Sequence, residues 1–160
     1  MAHFKYLIIG AGMTADAAVR GIRELDPKGS IALIGDDRDP PYDRPPLSKG
    51  LWKGKSLDGI WRKTEERSAD LFLGRTATSI EPRKKQVQDD QRVIYAYERL
   101  LLATGGTPRK LPFGGEEILY FRTLEDYRRL REMCAQGEHF GVIGGGFIGS
   151  EIAAALTMNG

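Results

Sequence analysis

Apolar positions change period several times along the chain, and each change marks a predicted element. Phe4-Lys5-Tyr6-Leu7-Ile8-Ile9 is a short, mainly apolar run that ends at Gly10. It predicts a parallel strand buried on both faces. From Met13 the spacing becomes helical, with Ala15, Ala18, Val19, Ile22 and Leu25 on one side. Asp26-Pro27-Lys28-Gly29 stops that helix. A second apolar run, Ile31-Ala32-Leu33-Ile34, ends at Gly35-Asp36. Strand, glycine turn, helix and strand in this order predict a βαβ unit with a right-handed crossover.

The segment from Arg38 to Trp61 has weak periodicity and many Pro and Gly residues. Without regular elements, a loop of that length in a compact domain is functional or disordered. Leu71 to Leu73 and Thr76 to Ile80 predict strands. Gln86-Val87-Gln88 and Arg92-Val93-Ile94-Tyr95 flank Asp89-Asp90-Gln91 as the arms of a hairpin would. Arg99 to Ala103 predicts another buried strand, closed by Thr104-Gly105-Gly106-Thr107-Pro108. Thr123-Leu124-Glu125-Asp126 is a capping-box signature. It opens a helix that places Leu124, Tyr127, Leu130 and Met133 on roughly one side. A last strand, Phe140 to Ile143, leads into Gly144-Gly145-Gly146-Phe147-Ile148-Gly149. No short tandem repeat is present, yet this glycine motif uses the same device as the first.

That device has specific chemical requirements. In Gly10-x-Gly12-x-x-Ala15, Gly10 allows the tight turn and Gly12 lets the backbone approach a pyrophosphate. Ala15 lets helix and strand pack closely. The helix N-terminus then offers free N–H groups and partial positive charge to phosphates. An acid about 20 positions on binds ribose hydroxyls, and Asp36 lies at that distance, just after the second predicted strand. The motif alone does not separate FAD from NAD.

Composition narrows the class further. With 24 basic and 22 acidic residues the net charge is +2, which points to neither nucleic acid nor a membrane surface. The clusters Arg83-Lys84-Lys85 and Arg128-Arg129 read as solvated surface. A single cysteine, Cys134, rules out an intrachain disulfide and a dithiol redox pair within this chain; its expected place is a small apolar position on a helix. The start of the chain lacks the pattern of a signal peptide, and no run approaches the ~18 apolar residues of a membrane-spanning helix. The expectation is a cytoplasmic protein.

The loop Pro41-Tyr42-Asp43-Arg44-Pro45-Pro46-Leu47-Ser48-Lys49 is stiffened by its prolines. Its Arg44 suits a phosphate or ribose edge. Its Lys49 is a compact charge suited to a flavin ring or a carboxylate partner, and a solvated surface loop is the plainer alternative. With this loop, the chain resembles the two-dinucleotide flavoprotein reductases. The resemblance lies with the branch that holds apoptosis-inducing factor and the NADH-dependent ferredoxin and rubredoxin reductases. It rests also on Ile9-Gly10-Ala11-Gly12 to Ala15, Ala103-Thr104-Gly105-Gly106-Thr107-Pro108-Arg109, Phe121-Arg122-Thr123-Leu124 and Gly144 to Glu151, in the family's order.

The resemblance implies an α/β chain: a Rossmann-like FAD-binding fold with a parallel sheet and a β-hairpin or meander, then the first βα unit of a second, NAD(P)-binding domain. Residues 1–122 would form the FAD part and 123–160 the connecting helix and the start of the NAD(P)H part. The chain would be the N-terminal portion of a longer reductase. Gly10, Ala11, Gly12, Met13 and Thr14 would hold the FAD pyrophosphate, and Asp36 and Asp37 the adenosine ribose. Arg44, Lys49 and Arg122 would contact the cofactor, with Lys49 near the flavin. Thr78 would meet the adenine end through its backbone, and Ala103, Thr104 and Gly105 would lie near the pyrophosphate. Gly144, Gly146, Phe147, Ile148 and Gly149 would serve NADH or NADPH, with Phe147 against a ring face. Glu151 would pair with Lys49 and steady charge on the reduced flavin. Asp36 stands where relatives often carry Glu, and Thr78 where an apolar residue is common. The implied activity is hydride transfer from NAD(P)H to FAD, with electrons passed to a small redox protein, a quinone or oxygen. A redox-sensing interaction module with little turnover is the alternative. No nucleic-acid or membrane partner is expected, and oligomeric state is left open.

Overall fold

The computed structural model describes residues 2–137 and 139–159. The chain divides into two compact units. One comprises Met1–Tyr42 and Trp61–Gly106, the other Asp43–Ile60 and Thr107–Gly160.

The first unit is built on a six-stranded sheet: β1 (Ala2–Ile9), β2 (Ile31–Gly35), β3 (Ala69–Leu73), β4 (Ala77–Glu81), β5 (Gln86–Asp89) and β6 (Ile94–Leu102). Helix α1 (Met13–Leu25) connects β1 to β2. The spatial order is β3-β2-β1-β6-β5-β4. β3, β2, β1 and β6 are mutually parallel, while β5 runs antiparallel to β6 and to β4. Residues alternate between faces along a strand. Ile8, Ile31 and Leu33 therefore meet Ala15 and Val19 of α1, and Leu7, Ile9, Ala32 and Ile34 gather with Val87, Tyr95 and Tyr97. β2 is buried at all five positions, as a parallel strand covered on both faces must be.

Three expectations change here. The segments 92–95 and 99–103, read as separate strands, merge into one nine-residue strand over Ile94–Leu102, with Arg92 and Val93 before it and Ala103 after it. Glu98 and Arg99 interrupt its apolar pattern, but ladder hydrogen bonds use the backbone and continue to β1 from Tyr95 to Leu102. Its end is not buried, since Leu101 and Leu102 are exposed. Leu25 is 90% exposed, because the buried face of α1 is centred on Ala15, Asp16 and Val19.

The hairpin between β5 and β6 is closed by a buried carboxylate. Asp89 accepts hydrogen bonds from the Gln91 N–H (3.0 Å), the Val93 N–H (2.8 Å), the Tyr95 hydroxyl (2.8 Å) and the Arg75 guanidinium (3.0 Å). Burial and this bond push the Tyr95 phenol up to about 12. Asp89→Ala leaves these donors without their acceptor and should cost about 2–4 kcal/mol in urea unfolding; a loss below about 0.5 kcal/mol would contradict this role.

The second unit has little regular structure of its own. Helices α2 (Leu124–Ala135) and α3 (Phe147–Met158) pack with the 3₁₀ turn at Pro45–Ser48, which adjoins a second turn at Gly50–Lys53; a third lies at Leu57–Ile60. The 38–61 loop is therefore ordered. Leu47, Leu51, Trp52 and Ile60 are buried, as are Leu124, Tyr127 and Leu130 of α2 and Ile152 and Ala155 of α3. Trp52 stands edge-on to Tyr127 and donates from Nε1 to the Leu47 carbonyl (2.8 Å). The capping box at Thr123 forms in full, with Asp126 taking the usual Glu position. Cys134 lies half-buried on α2, and burial pushes its thiol up. Phe140–Ile143 is not a strand, and Val142 and Ile143 are 42% and 66% exposed. An apolar run becomes a strand only where a neighbouring backbone completes its ladder, and no ladder reaches it among the described residues.

Candidate functional site

In the first unit the ends of three parallel strands converge on the first glycine turn. The Gly10 N–H donates to the Ile34 carbonyl (2.7 Å) and the Ala103 N–H to the Ile9 carbonyl (2.7 Å). Gly10 has φ +119°, and a Cβ there would collide with the Ala103 carbonyl and sit 3.2 Å from the Thr104 nitrogen. Gly35 likewise lies against Ala11. The Gly10–Gly12 turn, Gly35 and the Ala103–Thr104 turn thus share the carboxyl end of the sheet. β2 and β6 flank β1 there, the kind of strand-order reversal at which open α/β sheets bind ligands.

Gly12 behaves differently. Its φ is −101°, and a Cβ there would meet nothing within 4 Å. Nothing among the described residues demands glycine at this position, so the space above it fits a close-approaching ligand. Gly12 also caps α1 without any side-chain hydrogen bond, leaving the first-turn N–H groups of Met13 and Thr14 uncapped by a side chain. An anion suits that end. Asp36 is exposed and has no hydrogen-bond partner among the described residues. Asp37 is engaged: it accepts from the Tyr42 hydroxyl (2.9 Å) and the Asp39 N–H (3.1 Å). Thr78 falls where the β4–β5 register shifts, and its hydroxyl lies 3.2 Å from the carbonyls of Gln88 and Asp89. Thr104 and Gly105 are exposed beyond β6.

Sequence reasoning missed Asp16, the residue that ties α1 to the 62–67 segment. It is fully buried, one turn into α1, and accepts from Arg20 (2.8 Å), Arg62 (2.7 Å) and Thr64 (2.7 Å). Burial alone would raise its pKa. The bonds from Thr64 and Arg62 and the charges of Arg20 and Arg62 outweigh burial and hold it below the usual carboxylate range. The available signal was an acid inside the apolar stripe of α1.

The second unit holds the remaining candidates. Lys49 Nζ lies 3.4 Å from Glu151 Oε1, and the Ser48 hydroxyl donates to Glu151 Oε2 at 2.6 Å. Sequence reading gave Ser48 no role. The Ser48 bond, ahead of Lys49, holds the Glu151 carboxyl below its usual range against partial burial. The Arg44 guanidinium donates to the Arg122 carbonyl (3.2 Å), and the Arg122 N–H to Asp126 (2.9 Å). The second glycine motif repeats the first in geometry. Gly144 has φ +115°, and a Cβ on Gly149 would collide with the Gly144 carbonyl. Gly146 caps α3 without a side-chain bond. Phe147 is 90% and Ile148 51% exposed, so neither serves the packing of α3 among the described residues. No group of three or more His, Cys, Asp or Glu suited to a metal occurs among the described residues. No helix among them is long and apolar enough to cross a membrane.

A parallel sheet end with this turn, followed by a second motif of the same shape, defines a dinucleotide-binding class. The chain belongs to the pyridine nucleotide-disulphide oxidoreductase family, which it matches over residues 4–160. It is 35% identical to apoptosis-inducing factor 1, mitochondrial, of Dictyostelium discoideum, over 98% of this chain and 34% of that protein. It is 34% identical to the ferredoxin–NAD(+) reductase component of the biphenyl dioxygenase system of Paraburkholderia xenovorans, over 91% of this chain and 38% of the relative. The crystal structure of NADH:rubredoxin oxidoreductase from Clostridium acetobutylicum superposes with a TM-score of 0.83 at 29% identity, covering 99% of this chain and 43% of that one. The chain thus spans about two-fifths or less of these relatives' length.

Proposed function

We propose that the chain is the FAD-binding part of an NAD(P)H oxidoreductase that feeds electrons to a small redox protein of the ferredoxin or rubredoxin kind, or to a quinone. The observation that carries this reading is the open face at Gly12, set where three strand ends meet and flanked by the free carboxylate of Asp36. The names of the relatives support it. In this reading FAD and NADH or NADPH are the cofactors, and FAD when bound would accept a hydride from the nicotinamide and release electrons singly or in pairs.

The chain's own residues then divide the work. Gly10, Ala11, Gly12, Met13 and Thr14 bind the FAD pyrophosphate through the α1 N-terminus, with Ala103, Thr104 and Gly105 beside them. Asp36 takes the ribose hydroxyls, and Asp37 supports that edge while held by Tyr42. Thr78 contributes backbone groups at the adenine end, where a register shift leaves it outside regular pairing. Arg44 and Arg122 carry positive charge for the cofactor. Lys49 supplies a cation against charge that develops on the reduced flavin, and Glu151 limits where that ammonium can go. Gly144, Gly146, Phe147, Ile148 and Gly149 serve the nicotinamide dinucleotide at the α3 N-terminus. The functional division is 1–122 toward FAD and 123–160 toward NAD(P)H, although the loop with Arg44 and Lys49 belongs to the second compact unit. We place the protein in the cytoplasm.

Absorption spectroscopy tests the reading. Protein incubated with FAD and desalted should show a flavin spectrum near full occupancy; a colourless protein that takes up no FAD overturns the proposal. In the intact, FAD-loaded reductase, Lys49→Ala should slow flavin reduction by NAD(P)H about tenfold, equivalent to about 1.4 kcal/mol in the barrier. An unaltered rate removes Lys49 from the mechanism.

A further inference from the structure

Two consecutive residues grip two different oxygens of one carboxylate. Ser48 bonds Oε2 of Glu151 at 2.6 Å, and Lys49 reaches Oε1 at 3.4 Å. They differ sharply in setting. Ser48 is 8% exposed, whereas the Lys49 side chain is 58% exposed. A long, exposed lysine–carboxylate contact fixes little by itself, because the ammonium exchanges freely between water and carboxylate. A short bond from a buried hydroxyl to a charged acceptor is both stronger and more directional.

The backbone around Ser48 is itself held. The Leu47 N–H donates to the Arg44 carbonyl (3.0 Å), the Lys49 N–H to the Pro46 carbonyl (3.1 Å), and the Trp52 indole to the Leu47 carbonyl (2.8 Å). Pro45 and Pro46 remove two further backbone freedoms. The hydroxyl therefore reaches Glu151 from a stiff, packed turn. Glu151 lies in the first turns of α3, whose Ile152 and Ala155 are buried. Among the described residues, Lys49 is the one charged group set against this carboxylate.

We propose that Ser48 is a positioning residue: it fixes the Glu151 carboxylate so that its other oxygen holds the Lys49 ammonium in one place. This rests on the reading that Lys49 acts on FAD. Ser48 carries no charge, so it acts only through Glu151. Without the hydroxyl the carboxylate turns into solvent and Lys49 loses its tether.

Two measurements on wild type, Ser48→Ala and Ser48→Thr test this. The first needs no cofactor: brief acetylation with an N-hydroxysuccinimide ester, with Lys49 labelling read by mass spectrometry against exposed Lys53. The Lys49/Lys53 ratio should rise about threefold in Ser48→Ala, the scale of a released surface ion pair, and return towards wild type in Ser48→Thr. The second is single-turnover flavin reduction by NADH or NADPH in the intact, FAD-loaded reductase. Ser48→Ala should be about tenfold slower, as for loss of one hydrogen bond to a charged group, with FAD affinity unchanged. Wild-type labelling in Ser48→Ala overturns the proposal. So does raised labelling with a wild-type reduction rate, or a threonine variant that behaves as alanine does. If the intact wild-type reductase binds FAD but neither nicotinamide reduces it, the hydride reading fails, and labelling alone then decides whether Ser48 holds the pair.

Discussion

Replacing Asp16 with alanine should lower the stability of the folded chain by about 3–5 kcal/mol, the range for removing one partner of a buried ion pair. The cost comes from what remains. Arg62 and Thr64 would lose an acceptor at 2.7 Å each and the half-exposed Arg20 one at 2.8 Å; Thr64 is fully buried and cannot turn to water instead. Thermal unfolding should fall by roughly 3 °C per kcal/mol for a chain of this size. The pH dependence has a defined sign. Asp16 in the fold titrates below the usual carboxylate range, and in the unfolded chain near ~3.9. Its contribution is therefore fully present above the unfolded value and is lost as pH falls through the folded one. Asp16→Asn should flatten that acid limb while keeping an acceptor for Thr64. A variant as stable as wild type, with the same acid limb, would show that the cluster is not the clip between α1 and the 62–67 segment.

The second large effect contrasts two glycines two positions apart. Gly10→Ala should destabilise the chain by several kcal/mol, because it combines a left-handed backbone with a collision against Ala103. Gly12→Ala should leave stability within about 0.5 kcal/mol, since its new Cβ meets nothing in the chain. It should instead weaken FAD binding about tenfold to a hundredfold by holding the pyrophosphate away from the α1 N-terminus. Urea unfolding without cofactor and FAD titration by fluorescence separate the two. If Gly12→Ala bound FAD normally, the phosphate site would lie elsewhere.

These predictions also show what could be read from the chain alone. The βαβ unit was legible because Phe4–Ile9, the α1 stripe and Ile31–Ile34 each carry one clear period. The glycine motifs were legible because turn geometry requires small residues at fixed spacing. The burial of Asp16 was not, because an acid inside an apolar stripe has no defined fate until Arg62 and Thr64 arrive from 46 and 48 residues away. Ser48 was hidden for the same reason: its partner is 103 residues distant in sequence. The failed strand at Phe140–Ile143 is the converse case. Its residues have strand propensity, but propensity supplies no ladder partner.

What the sequence determined by itself is local: where strands and helices start and stop, which turns need glycine, and which family the order of motifs belongs to. Period, capping and turn chemistry act over a few residues and can be read there. What only the tertiary structure decided is pairing at a distance. It joined two apolar segments into β6 and ordered the proline-rich loop on Trp52. It left Asp36 free while Tyr42 engaged Asp37, and it gave Glu151 to Ser48 as well as Lys49. Those outcomes depend on which groups lose water together, and that is settled only when separate parts of the chain meet.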